Sequence, residues 1–482
     1  MNENCDILII GAGISGLTAA WKLHQAGRDV RVIEAGQFAG GVMQTKSRDG
    51  FLLETGPFNV MVRDVAFESL LEDFADEIGV IAASKSTGRK RFVLRHDRLL
   101  EVPSNPFKLM TSPLLSSAGR LRLLRGLMIS SPGRDQDSID EAAARRFGPE
   151  VADTFVSAMV SGIVAGDSRK LHFKSCFPNL ARIDRRTRSP LGFTLMKTLT
   201  GKMNPHKRKW RGLISFENGL GSLPAAMAKR LGQHLTTYAR VESLESNAIG
   251  YTAHIQHQDS QSTILCREVI LATPLLPASS LLHDLSPVAS ELIESIATTS
   301  LVVLNLGFDA KTIDHPLDGY GFLVPRSEKN FPLLGVLFAD SVFPHHAPQG
   351  KRLLRVFMGG PRDPEAARRS DEDLLAIAMP HLKRILGISG KPSLIDICRS
   401  PGAIPQYATG HDAKIEHLNS LISQLPGVHL AGNYLEGVSI NDCIRNASQL
   451  AQELIACTPP PTEEDHEPIE FMLSSIPEVS KT

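Results

Sequence analysis

The sequence lacks the spacings that build metal sites and disulfide frameworks. Its six cysteines (Cys5, Cys176, Cys266, Cys398, Cys443 and Cys457) are scattered without one C-x-x-C pair. That argues against a zinc site or a stapled scaffold and suits a reducing compartment. No HExxH or similarly spaced histidine cluster occurs, so no metal is expected. Net charge is missing too: 52 Lys plus Arg balance 52 Asp plus Glu, leaving no global field for nucleic acid. No run reaches the roughly 18 apolar residues of a membrane span, since "FVSAMVSGIVAG" from Phe155 is short and broken by glycine. The chain enters an apolar strand by Ile7, so no signal peptide is expected. Ser-His-Asp and paired-carboxylate constellations are likewise absent.

What remains is an ordinary globular composition, 482 residues with 42% apolar and 22% charged, enough for two or three domains. "DILIIGAG" reads as a buried parallel strand, "SGLTAAWKLHQAG" as a helix closed by Gly27, and "DVRVIEA" as a second strand. Together they make one βαβ unit. Gly11, Gly13 and Gly16 form GxGxxG between the first strand and the helix. The first glycine permits a tight turn, the second lets backbone approach a pyrophosphate, and the third packs helix on strand. Glu34 ends the second strand, where a carboxylate can accept ribose hydroxyls. A dinucleotide is expected.

A nicotinamide cofactor is often held largely by one such domain, whereas a flavin lies extended and needs a remote segment. "GGVMQT" (Gly40–Thr45) and "GFLLETGPFNV" supply close backbone soon after the second strand. "LAGNYLEGVSINDCIRNASQLAQEL", from Leu430, supplies a second glycine-bearing turn running into a helix. One turn is expected at the pyrophosphate and the other at the flavin end. Residues 61–185 read as mostly helical, and 235–275 and 300–360 as strand-rich. "GKMNPHKRKWRG" reads as a solvated basic loop, and the chain beyond Cys457 as a disordered acidic tail.

"GAGISGLTAA", "ATP" (Ala272–Pro274), "GIVAGDSRKLHFKSCFPNL", "GYGFLVPRSE", "IPQYATGH" and "LAGNYLEGVSINDCI" resemble the flavin-containing amine oxidase superfamily. The last four resemble its protoporphyrinogen oxidase branch, especially the oxygen-dependent type. The likeness runs from about Asp6 to Leu454. It implies an α/β fold, with a Rossmann-like FAD-binding domain (1–75, 211–285 and 411–457) interrupted by two insertions. These are a mainly helical segment (76–210) and an α+β substrate domain (286–410), with 458–482 as the tail.

The resemblance also implies an enzyme with FAD as cofactor and no catalytic side chain, the flavin carrying the chemistry. The reaction would be three two-electron oxidations of protoporphyrinogen IX, with molecular oxygen as acceptor and hydrogen peroxide as by-product. Gly11, Ala12, Gly13, Ile14, Ser15 and Gly16 would hold the pyrophosphate, and Glu34 and Ala35 the ribose. Met43, Pro57, Phe58, Asn59 and Val60 would lie along the cofactor, with Val241 backbone at the adenine. Asn433, Val438, Ser439 and Ile440 would approach the flavin. Tyr320, Leu323 and Met358 match positions lining a macrocycle pocket, strand core being the alternative for all three. Lys108 is the nearest cation for a substrate propionate.

Coproporphyrinogen III oxidation, another amine-oxidase-like reaction and a non-catalytic flavin scaffold are the rival functions. The amphipathic basic stretch "LLSSAGRLRLLRGLM" is expected to touch an anionic membrane surface, a helix packed in the substrate domain with solvated arginines being the alternative; a cytoplasmic protein, peripheral on the cytoplasmic face of the inner membrane, is expected. A homodimer is the assembly considered.

Overall fold

The computed structural model describes residues 2–103, 111–128, 133–186 and 209–457. It opens with β1 (Asn2–Ile10), α1 (Ile14–Gln25) and β2 (Val30–Ile33), the βαβ unit expected from the sequence. β3 (Thr45–Arg48), β4 (Phe51–Glu54), β5 (Val60–Met61), α2 (Val65–Ile78) and β6 (Val80–Ala82) follow. Next come β7 (Phe92–Arg95) and β8 (Arg98–Glu101), then α3 (Ser117–Met128), α4 (Ile139–Phe147), α5 (Ser157–Val164) and α6 (Pro178–Arg186). The chain returns through β9 (Leu213–Phe216), α7 (Ser222–Leu231), β10 (Leu235–Thr236), β11 (Arg240–Ser246), β12 (Tyr251–Gln256) and β13 (Gln261–Leu271). After α8 (Leu275–Leu282) and α9 (Pro287–Glu294) it forms β14 (Thr298–Asp309), β15 (Gly321–Leu323), β16 (Gly335–Phe338) and β17 (Lys351–Gly359). The last elements are α10 (Asp371–Leu386), β18 (Leu394–Pro405), α11 (His411–Ile422), β19 (Val428–Leu430) and α12 (Ile440–Cys457).

The first sheet runs β10-β2-β1-β13-β19 in parallel, with β12 and β11 continuing antiparallel from the first half of β13. Alternation along β1 sends Ile7 and Ile9 to one core, under α1, α2, α7 and α12, and Leu8 and Ile10 to the other. Register aligns the strand ends: Ile10 pairs with Leu271, and Leu271 with Leu430. Three loops therefore leave the carboxyl edge side by side, where open α/β sheets bind ligands.

The second sheet runs β18-β14-β17-β16-β15-β7-β8. One face buries Leu304, Leu306, Val336, Val356 and Met358 against Leu374, Ala378, Leu382 and Leu386, the i/i+4 stripe of α10. The opposite face meets the β3–β4 hairpin through Phe51, Leu53, Phe58, Phe343 and Leu353. β7 and β8 lie inside the segment read as a helical insertion, yet β7 pairs parallel with β15. The substrate sheet thus draws on 92–101 as well as 298–405. Long-range pairing, invisible in local pattern, fixes that boundary. Arg326, just after β15, ties the helices to this sheet through Asp140 (2.9 Å) and Asp153.

Candidate functional site

At the first turn, Gly11 has φ +101°, and a Cβ there would stand 2.7 Å from the Ala272 carbonyl oxygen. A Cβ on Gly16 would lie 2.0 Å from the Gly11 carbonyl oxygen, so α1 seats on β1 only because both residues are bare. Gly13 is different. Its φ is −68°, ordinary for any residue, and no atom lies within 4 Å of a Cβ built on it. It caps α1 without a side-chain hydrogen bond, and no acidic residue follows in the first turn. The unpaired N–H groups of a helix start, with the positive end of its dipole, face that open space. This is a cradle for a phosphate group.

Glu34 borders the cradle, accepting hydrogen bonds from the N–H of Ala12 and of Gly36, both at 2.7 Å. Ala35 is exposed beside it. Gly40 donates to the Ala12 carbonyl at 2.7 Å, laying the Gly40–Gly41 turn across the glycine loop. Met43 points into the α1-side core, 1% exposed, so what it offers a ligand is backbone. The Ala239 N–H bonds the Glu34 carbonyl at 3.0 Å, which brings the start of β11 and Val241 alongside the same edge. Thr273, in the loop after β13, carries a buried hydroxyl without a partner. An open helix start, a carboxylate beside it and an orphaned hydroxyl fit an extended dinucleotide. Residues Gly11–Gly16, Glu34 and Ala35 would hold its pyrophosphate and ribose.

The second turn meets the first. α12 packs along α1, with Ile444, Ala447 and Ala451 in the core that holds Leu17 and Ala20, and with Cys443 beside Ser15. Its start differs in kind from that of α1. The Ser439 hydroxyl accepts from the Asp442 N–H at 3.2 Å, and Asp442 adds a carboxylate to the first turn. Such an end is closed to phosphate and suits an uncharged ring. Ahead of it, the Tyr407 hydroxyl donates to the Asn433 carbonyl (2.5 Å), and His411 bonds the Leu435 carbonyl (3.0 Å). "IPQYATGH" is therefore a mould for the turn that carries Asn433, Val438, Ser439 and Ile440. Gly437 has φ +79°, but a Cβ there would strike the Asp442 side chain at 2.4 Å. Its need for glycine is internal to the turn.

Between the sheets lies the stretch Pro57–Val60. Phe58 and Val60 are buried, while the Asn59 side-chain amide donates to the Tyr320 hydroxyl at 2.6 Å. Tyr320, Leu323, Leu337 and Phe357 are half-buried on the same side of the substrate sheet. Leu323, Gly335 and Phe357 are cross-strand neighbours in an apolar strip, where Gly335 is buried and a Cβ on it would lie 3.1 Å from Leu323 Cδ2. Gly162 of α5 crosses above Leu323, with no room for a Cβ. Met358 points the other way. It is fully buried in the α10-side core, which corrects its placement on a pocket wall. Strand parity puts Phe357 there instead. Lys108 lies outside the described residues. A cation that the sequence reading missed is Arg91, exposed, with its guanidinium 5.0 Å from the centre of the Tyr320 ring.

Two buried charges sit behind this strip. Glu54 accepts from the Leu220 N–H (2.8 Å) and the Thr45 hydroxyl (2.7 Å), and burial pushes its carboxyl up to about 7. Arg355 donates to the Glu54 and Gly56 carbonyls at 3.0 and 2.9 Å.

The profile of the flavin containing amine oxidoreductase family matches residues 14–455. The chain belongs to this family. As an amine-oxidoreductase-family flavoprotein it is an FAD-dependent oxidoreductase, and the cradle described above fits that cofactor. It is 28% identical to the mitochondrial protoporphyrinogen oxidase of Nicotiana tabacum, over 93% of this chain and 94% of the relative. It is also 28% identical to the coproporphyrinogen III oxidase of Bacillus subtilis (strain 168), over 91% and 95%. A crystal structure from Exiguobacterium sp. 255-15 superposes with a TM-score of 0.77 at 23% identity, covering 95% of this chain and 99% of that one. Reduced UDP-galactopyranose mutase does so at 0.71 and 14%, covering 94% and 96%. Those two likenesses establish the family fold alone.

Two outcomes follow from this geometry. Gly13→Glu should fold, because its Cβ meets nothing, yet should weaken FAD binding about a hundredfold, since like-charge juxtaposition costs several kcal/mol. Titration of the apoprotein with FAD checks it, and unchanged affinity would empty the cradle of its pyrophosphate. Glu54 bears on stability. Between its ordinary value of 4.5 and about 7, the folded protein keeps a proton that the unfolded chain has released. Stability therefore falls as pH rises through that window and levels off above it, by something on the order of 3 kcal/mol. Glu54→Gln should remove this slope from urea unfolding curves taken from about pH 5 to about pH 8; an unchanged slope counts against a protonated Glu54.

Proposed function

We propose that this enzyme oxidises a porphyrinogen to its porphyrin in haem biosynthesis, with protoporphyrinogen IX as the preferred substrate. The observation that carries the reading is the half-buried apolar strip of Leu323, Gly335 and Phe357, flanked by Tyr320 and Leu337, facing the flavin-side stretch Pro57–Val60. The names of the relatives from tobacco and Bacillus subtilis support it. Bound FAD supplies the hydride acceptor, oxygen being its proposed reoxidant with release of hydrogen peroxide. The chain's own residues position the macrocycle. The half-buried side chains of Leu323 and Phe357 offer a large ring an apolar wall, and the Asn59–Tyr320 bond keeps that wall in register with the flavin-side stretch. Arg91 stands at the rim, where a propionate reaches it without leaving water.

The apolar wall favours vinyl groups over two further carboxylates, whose burial without partners is costly. Coproporphyrinogen III is the second reading, since a coproporphyrinogen III oxidase matches this chain at the same 28% identity as a protoporphyrinogen oxidase. We also propose peripheral membrane contact through the helical segment. Leu121 (69% exposed) and Leu124 share a face of α3 beside Arg120, Arg122 and Arg125, and Ile163 of α5 is 59% exposed.

Anaerobic mixing of oxidised enzyme with each porphyrinogen, then steady-state kcat/KM, tests the substrate. Protoporphyrinogen IX should bleach the flavin and give the larger kcat/KM; a tenfold preference (about 1.4 kcal/mol) for coproporphyrinogen III would reverse the assignment. Arg91→Ala should raise KM about fivefold with kcat little changed, as for an exposed ion pair of about 1 kcal/mol. Flotation with anionic vesicles should carry the wild type upward and leave Leu121→Glu behind; equal flotation of the two would remove α3 from the contact.

A further inference from the structure

One row of side chains on the cleft face of the substrate sheet runs Leu337, Arg355, Asn305, Asp396 across β16, β17, β14 and β18. Arg355, near its middle, has no exposed surface. Only its Nη2 is satisfied, by the Glu54 and Gly56 carbonyls; Nε and Nη1 have no hydrogen-bond partner. No carboxylate among the described residues is within ion-pair distance of it. The nearest acids are engaged elsewhere. Glu54 serves Leu220 and Thr45, and Asp396 pairs with Lys46 at 3.0 Å while accepting from Asn305. The rings of Phe58 and Phe357 flank the guanidinium at 5.3 and 5.6 Å. Burial pulls it down to about 10, so it stays charged at neutral pH.

A buried cation without a counterion is destabilising, and a hydrophobic residue in its place generally is not. The carbonyls it grips lead directly into Pro57–Val60, the stretch proposed to run along the flavin. Transfer of hydride to an oxidised flavin leaves one negative charge on the ring system, FAD + H⁻ giving FADH⁻. We infer that Arg355 is a positioning residue for the cofactor. It fixes the Glu54–Gly56 backbone and holds a positive charge with no ion-pair partner, which favours the negative charge of the reduced flavin and raises the flavin's reduction potential. The inference rests on FAD binding, whichever porphyrinogen is the substrate.

The test is dye-coupled reductive titration of holoproteins with no porphyrinogen present, so that its failure and a failure of the substrate assignment are separate results. Arg355→Met should keep FAD and have a lower midpoint potential than wild type. Arg355→Lys should track the wild type at low pH and approach the Met variant as pH rises, because a buried ammonium loses its proton readily. A Met variant with the wild-type potential overturns the inference. So does a Lys variant whose difference from wild type does not vary with pH, which marks a purely structural clamp. Should Arg355→Met not fold, sulfite titration of the wild-type holoprotein decides. The sulfite adduct leaves the same negative charge on the flavin, so bleaching of the visible band at millimolar sulfite is expected, and no bleaching overturns the inference.

Discussion

The level at which β1, β13 and β19 end is the constraint on which the rest depends. Ile10, Leu271 and Leu430 are in register, so three loops from distant parts of the chain emerge along one edge. β1 and the end of β13 are buried on both faces and cannot slip without moving their whole apolar set. The site is consequently as rigid as the sheet. The helices inherit this order: α1 and α12 start from adjacent loops and pack along each other through Leu17, Ala20, Ile444 and Ala447. A cofactor gripped there needs no loop closure to find its contacts, and the cost of organising them is met by the core rather than by binding.

The second sheet solves a different problem. It buries one face fully and keeps half-buried side chains on the other, the face that receives the macrocycle in the function proposed above. Alternation does the first task, with α10 covering the even residues of β17. On the odd side the sheet meets the β3–β4 hairpin through the apolar cluster of Phe51, Leu53, Phe58 and Leu353, and beside it through a polar row. Asn305 donates towards both the Glu54 carbonyl and Asp396, and Arg355 grips Glu54 and Gly56. Directional bonds to backbone carbonyls set the spacing between the two sheets more sharply than apolar contact does, at the expense of stability. A cleft whose width must match a planar ring gains from that exchange.

Sequence showed the first half of this arrangement clearly. Gly11, Gly13, Gly16 and Glu34 announce themselves because only bare residues fit two of those positions and because local pattern brackets them with strand and helix. The second turn was legible for the same reason, although the φ > 0 glycine in it, Gly437, answers to Asp442 of its own turn. The substrate wall was not. Val356, Phe357 and Met358 are all apolar, so composition gives no parity, and Met358 was set on the wrong face. Arg355 would have broken the tie, since a charged residue in an apolar strand marks the face that meets polar backbone. β7 hid within a helical stretch because its parallel partner, β15, lies some 230 residues on, and β8 pairs with β7 (a sheet membership that only tertiary structure reveals). Arg91 stands just outside β7, where no motif points to it.

The two helix starts give the site its polarity. Both present N–H groups at the same edge, so dipoles alone would let an anion settle at either. The side chains remove that ambiguity. α1 begins on Gly13, with no side-chain cap and no acid in its first turn, and stays open to a phosphate. α12 satisfies its own N–H with Ser439 and adds Asp442, whose carboxylate repels one. A dinucleotide with a charged middle and an uncharged ring is therefore accepted in one direction. In the function proposed above, its ring end would lie towards α12 and the apolar strip. Orientation of the cofactor, and with it the location of the chemistry, follows from which of two neighbouring helices carries its own cap.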